Sequence, residues 1–167
     1  MKFFFLFLLI VFNQTLKAQS EERIIQTEIA KIKIIPSYSH RNMFGNFVPQ
    51  IDFDSAFTKI VRLGTKAIPI LIKKLRDTTL VSITNPCFSE EKMKVHDVAW
   101  FLINEIEPFP RHTALKLVFC TSDECDHFPQ GFFGFIHSNP SEYASRYKKY
   151  FYSKERLKYL KSKEVRS

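Results

Sequence analysis

The chain has 167 residues, 25 Lys/Arg against 17 Asp/Glu, and four glycines. That length suits one domain with a real core. So few glycines, with neither G-x-G-x-x-G nor G-K-[ST] present, argue against a dinucleotide or P-loop nucleotide site.

The chain opens "MKFFFLFLLIVFNQTLKAQS": Lys2, an unbroken apolar run from Phe3 to Phe12, then a polar stretch leading to Ala18. Ten apolar residues reach about 15 Å as a helix, about half a bilayer core. The order charged, apolar, small is that of a secretory signal peptide over 1–18, cleaved after Ala18. A mature domain over 19–167, exported to a periplasmic or extracellular space, is the expectation. Its charge is uneven. Nine Lys/Arg against two Glu from Arg146 to Ser167 give +7, whereas residues 19–145, with fourteen basic and fifteen acidic side chains, give −1.

Residues 20–35 read as a helix, with Ser20 as N-cap, Glu21 and Glu22 in the first turn, and Ile25, Ile29 and Ile32 on one face. The alternation in "KIKII" keeps a strand open. Residues 36–49, bounded by two prolines, read as a loop. A second helix starts at the capping residue Asp54, buries Phe57, Ile60 and Val61, and ends at Gly64 as a C′ residue. The next starts near Thr65 or Lys66, which puts Pro69 in its first turn, where a missing N–H costs little. Residues 78–93 read as a long linker around Asn85-Pro86-Cys87.

"KVHDVAWFLINEIE" gives the strongest helix. Val95, Val98, Ala99, Leu102, Ile103 and Ile106 form its apolar face. His96, Asp97 and Glu105 fall on the expected polar, outer stripe. Further on, "RHTALKLVFC" reads as a short helix, "SDECDHFPQG" as an acidic loop and "GFFGFI" as a short buried helix. Asn139-Pro140 then begins a basic helix or helix pair, with Tyr143, Tyr147 and Tyr150 on one face.

"AIPILIKKLRD" (67–77) and "VHDVAWFLINEI" (95–106) resemble the first and second helices of a HEAT repeat, and "AFTKIVRLG" resembles the end of a preceding one. Val95 and Ala99 match the second helix's Val and small residue. His96 stands where that pattern has the Arg that, with an Asp at the position of Asp77, ties successive repeats. The resemblance spans roughly 54–107. It implies an all-α domain, a compact right-handed stack of helix pairs with a HEAT-like centre and capping helices, and a protein-binding role without catalysis.

Three thiols, Cys87, Cys120 and Cys125, would face an oxidising compartment; a Cys120–Cys125 disulfide is the preferred reading, although Cys87 could instead pair with either one. The alternative is a metal site drawn from Cys120, Cys125, Asp123, Asp126, His127 and His112. It lacks a second spaced ligand pair, so no metal and no cofactor are expected. His96-Asp97 beside Trp100 offers a general-base pair, yet no serine sits in a nucleophile elbow and Cys87 has no neighbouring histidine in sequence. No catalytic residue is assigned. Candidate binding residues are His96, Asp97 and Trp100, with Lys148 and Lys149 on the basic tail. Tyrosines interleaved with lysines also suit nucleic acid, but export argues against it. The tail's charge suits an acidic protein or an anionic membrane surface. The leading function is an exported scaffold or protein-binding module of unknown partner. The alternatives are a secreted hydrolase and a surface-associated protein using its basic tail.

Overall fold

The computed structural model describes residues 19–33, 35, 54–85, 88–108, 115–116 and 130–164. Among these residues it is mostly helical, with one two-stranded sheet. Seven helices are described: α1 over 19–29, α2 Ser55–Val61, α3 Ile68–Lys74, α4 Val95–Ile106, α5 Gln130–Ser138, α6 Pro140–Phe151 and α7 Lys154–Glu164. β1 (Leu80–Asn85) and β2 (Phe88–Lys94) pair antiparallel between α3 and α4. Residues 1–18, expected as a signal peptide, residues 36–49, expected as a loop, and Cys87, His112, Cys120, Asp123, Cys125, Asp126 and His127 lie outside the described residues.

Local chemistry sets the helix ends. Asp54 caps α2: its Oδ1 accepts the N–H groups of Ala56 (2.8 Å) and Phe57 (3.2 Å). Its other oxygen accepts the Lys33 N–H at 2.8 Å, which ties the chain after α1 to the start of α2. Gly64 adopts φ +62°, a left-handed turn that suits glycine. It opens a 3₁₀ turn, Gly64–Lys66, and Pro69 follows in the first turn of α3.

The linker expected over 78–93 is instead a hairpin. Val81 and Ile83 point inward while Leu80 and Ser82 are exposed, an alternation with period two. Asn85 pairs with Phe88 where the two described strands come together.

The core runs along α4, which packs against α2, α3 and α5. Of the polar stripe expected on α4, His96 and Asp97 are buried and Glu105 is partly exposed. From Val95 to Ile103 every residue is buried, including His96, Asp97 and Trp100. A helix closed off all round lies inside a core, not on its surface. The first N–H groups of α4 are met from the α3–β1 connection: Val95 N–H donates to the Thr79 carbonyl (2.9 Å) and His96 N–H to the Asp77 carbonyl (3.0 Å).

The basic tail forms two helices, α6 and α7, with a break at Tyr152–Ser153. Tyr143, Tyr147 and Tyr150 are core residues. Burial, with Glu107 nearby, drives the Tyr147 phenol far above its ordinary pKa and Tyr150 up to about 12. Glu107, at the C-terminal end of α4, is itself buried. Arg156 on α7 grips it with two hydrogen bonds, Nε to Oε1 at 2.6 Å and Nη2 to Oε2 at 2.5 Å. The guanidinium also lies 4.2 Å from the centre of the Phe151 ring.

Two consequences can be measured by urea denaturation. Ala99 is fully buried, so Ala99→Leu should overpack the core at a cost of about 1–3 kcal/mol. Arg156→Ala leaves a buried carboxylate without its partner and should cost about 3 kcal/mol or more, whereas Glu107→Leu with Arg156→Leu should recover most of that loss. A neutral Arg156→Ala would mean that α7 contributes nothing to the fold.

Candidate functional site

At the N-terminal end of α4 the chain places two ionisable side chains side by side in the interior. His96 is fully buried and Asp97 is 2 % exposed. The Asp97 carboxylate is held from two directions. Its Oδ2 accepts the backbone N–H of Lys94 at 2.8 Å, one of the free donors at the helix start. Its Oδ1 lies 2.9 Å from Nε2 of His137, on α5. A carboxylate only accepts, so the imidazole is the donor in that contact.

His96 completes the group. Its Nε2 lies 3.4 Å from the same Oδ1, and its ring centre is 4.9 Å from that of His137. Among the described residues neither ring nitrogen of His96 has a hydrogen-bond partner. Burial pushes the imidazole down from its ordinary pKa to about 4. Asp97 opposes that shift, His137 and Lys94 add to it, and Asp77 opposes it more weakly. His96 is therefore neutral near pH 7 and retains a lone pair on one ring nitrogen. His137 is the accessible member, its side chain about one-third exposed. One carboxylate oxygen thus sits between two imidazoles. Such a set can pass a proton along hydrogen bonds or ligate a divalent cation.

His96 and Asp97 converge as the sequence suggests, but inside the protein, because α5 covers that face of α4. Trp100 is also buried, one turn along α4. Lys148 and Lys149, on α6, are exposed and belong to a separate surface. Sequence reasoning missed His137. The available signal is that it is the only ionisable side chain in "QGFFGFIHS".

Elsewhere, a cavity of about 540 Å³ is lined by Leu115, Lys116, Arg146, Lys149, Tyr150, Ser153 and Glu155. Arg146 beside it is already engaged, donating to Glu142 Oε1 and to the Leu115 carbonyl. Among the described residues no helix is long and apolar enough to cross a membrane. No family model matches the chain, and no curated protein and no solved structure matches it either.

The site reverses one expectation from sequence. A solvated Asp97 could be truncated within about 0.5 kcal/mol. The buried carboxylate serves the Lys94 N–H and the His137 ring, so Asp97→Ala strands two donors and should cost about 2–4 kcal/mol. Urea denaturation of Asp97→Ala, with Glu105→Ala as a partly exposed control on the same helix, separates the two cases.

Proposed function

We propose that the protein is an exported, non-catalytic helical module with HEAT-like packing that binds an acidic protein surface through α6 and α7. The observation that carries this reading is the row of exposed cations on those helices. Lys148, Lys149, Lys154, Lys158 and Lys161 are all exposed, while the tail's two inner arginines are held by Glu142 and Glu107. Charge that the fold leaves in solvent on one pair of helices steers an oppositely charged partner. Exposed Tyr152 and Leu157 lie among these lysines and offer apolar contact at the centre of the patch.

A lipid surface fits this face less well. An interfacial helix separates a broad apolar face from a charged one. On α7, Lys154, Glu155, Leu157, Lys158, Lys161 and Ser162 are all exposed, so charge surrounds a single exposed leucine.

The HEAT-like part of the proposal draws on α3 and α4. They pack together, and the His96 N–H meets the Asp77 carbonyl, the two positions where the repeat pattern has its tying Asp and Arg. Export rests on the apolar segment at the chain's start. The hydrolase alternative would have to use His96–Asp97–His137, of which only His137 has appreciable exposure.

The test compares wild type with the double variant Lys148→Glu/Lys149→Glu as immobilised full-length protein, offered the exported fraction of its source cell and, separately, phosphatidylglycerol vesicles. The expected result is an acidic protein retained by wild type, released by salt, and weakened about tenfold or more by the charge reversal. Retention that survives the reversal, or binding confined to the vesicles, would overturn this reading.

A further inference from the structure

The cluster at the head of α4 has an unusual defect. Asp97 is held at both oxygens, whereas His96, beside it and fully buried, has no hydrogen-bond partner on either ring nitrogen among the described residues. Buried polar atoms without partners are few in folded proteins, and each calls for a reason. A leucine could fill that volume without the desolvation cost. Its Nε2 lies 3.4 Å from the one carboxylate oxygen that also meets His137.

We propose that His96, Asp97 and His137 form a binding site for a divalent transition-metal ion of the zinc class, with His96 and His137 ligating through ring nitrogens and Asp97 through Oδ1. The distances support this. Bonds of about 2.0–2.1 Å to zinc put tetrahedral ligand atoms about 3.3 Å apart. The His96–Asp97 separation is 3.4 Å and the His137–Asp97 separation is 2.9 Å. All three ligand atoms lie within 4.8 Å of one another. Seating the ion therefore asks His96 and His137 to close by about 1.5 Å at most. His137, the partly exposed member, can supply that movement.

The donor set is also suitable chemically. Two neutral imidazoles and one carboxylate are borderline ligands that favour zinc-class ions over calcium or magnesium, which prefer oxygen throughout. The Lys94 N–H on Oδ2 fixes the carboxylate so that Oδ1 faces the imidazoles, the orienting role that outer hydrogen bonds play around metal ligands. His137 provides the way in from solvent. Three protein ligands leave one position for water. The ion would bridge α4 and α5, across 40 residues of sequence.

The site differs from the cysteine-rich alternative around Cys120, Cys125 and His127, and the experiment distinguishes them. Full-length protein is stripped with a chelator and titrated with Zn²⁺ by calorimetry and with Co²⁺ by visible absorption. The expected result is one ion per chain, cobalt bands of tetrahedral intensity, and no thiolate charge-transfer band in the near ultraviolet. His137→Ala, at the partly exposed ligand, should weaken zinc binding by at least about 100-fold, while Cys120→Ser/Cys125→Ser should leave it unchanged. In case His137→Ala folds poorly, long-range ¹H–¹⁵N spectra of the wild-type histidine rings provide an independent reading. Zinc should shift one ring nitrogen each of His96 and His137 to the metal-bound range. Absence of binding, a thiolate band, full affinity in a folded His137→Ala chain, or ring signals of these two histidines unmoved by zinc would each overturn the proposal.

Discussion

The buried carboxylate of Asp97 is the constraint around which the described fold is arranged. A carboxylate removed from water is costly unless its oxygens find donors. Here one oxygen takes the N–H that the start of α4 leaves free, and the other takes a ring nitrogen from α5. Satisfying Asp97 thus fixes both the point where strand β2 turns into α4 and the place where α5 docks. The opposite end of α4 repeats the device. Glu107 lies at a helix C-terminus, where the dipole disfavours an anion, and it is stable there because Arg156 reaches across from α7. The central helix therefore carries a buried acid at each end, and each acid recruits a different later element of the chain.

Much of this was legible in the sequence, and the failures share a cause. Asp54, Gly64 and Pro69 announce helix ends through interactions made within a few residues, so α2 and α3 fall where their spacing puts them. The tyrosines of α6 keep their period and pack inward as expected. The hairpin is hidden in the sequence because its alternation is short and Asn85-Pro86 looks like loop punctuation. The faces of α4 were hidden for a different reason. Periodicity separates apolar from polar positions, but it cannot show that another helix will cover the polar ones. His96 and Asp97 read as solvated because the partners that allow their burial lie elsewhere: His137 is 40 residues from Asp97, and the Lys94 donor is a backbone group.

The same reasoning explains why charge divides the molecule. Inside, ionic groups are matched: Asp97 by the Lys94 backbone N–H and His137, Glu107 by Arg156. Outside, the lysines of α6 and α7 remain in solvent, where each costs little and the sum sets a field. Arg146 and Arg156 are the exceptions within the tail, because their forked guanidinium groups can satisfy a carboxylate while resting against aromatic rings.

His96 breaks this consistency. Every other ionic decision on α4 is resolved by a partner, and the unresolved one lies in direct contact with the best-resolved one. Sequences that specify a fold well agree across local and tertiary levels, and conflicts concentrate where function overrides stability. An apolar residue at position 96 would remove the conflict without disturbing the Asp97 hydrogen bonds or the Asp77 carbonyl contact, which uses only the backbone N–H. The imidazole is thus not needed for the bonds that build the site. What it adds is a buried ring nitrogen 3.4 Å from a carboxylate oxygen that already faces a second imidazole, a grouping of donor atoms that suits an entering cation.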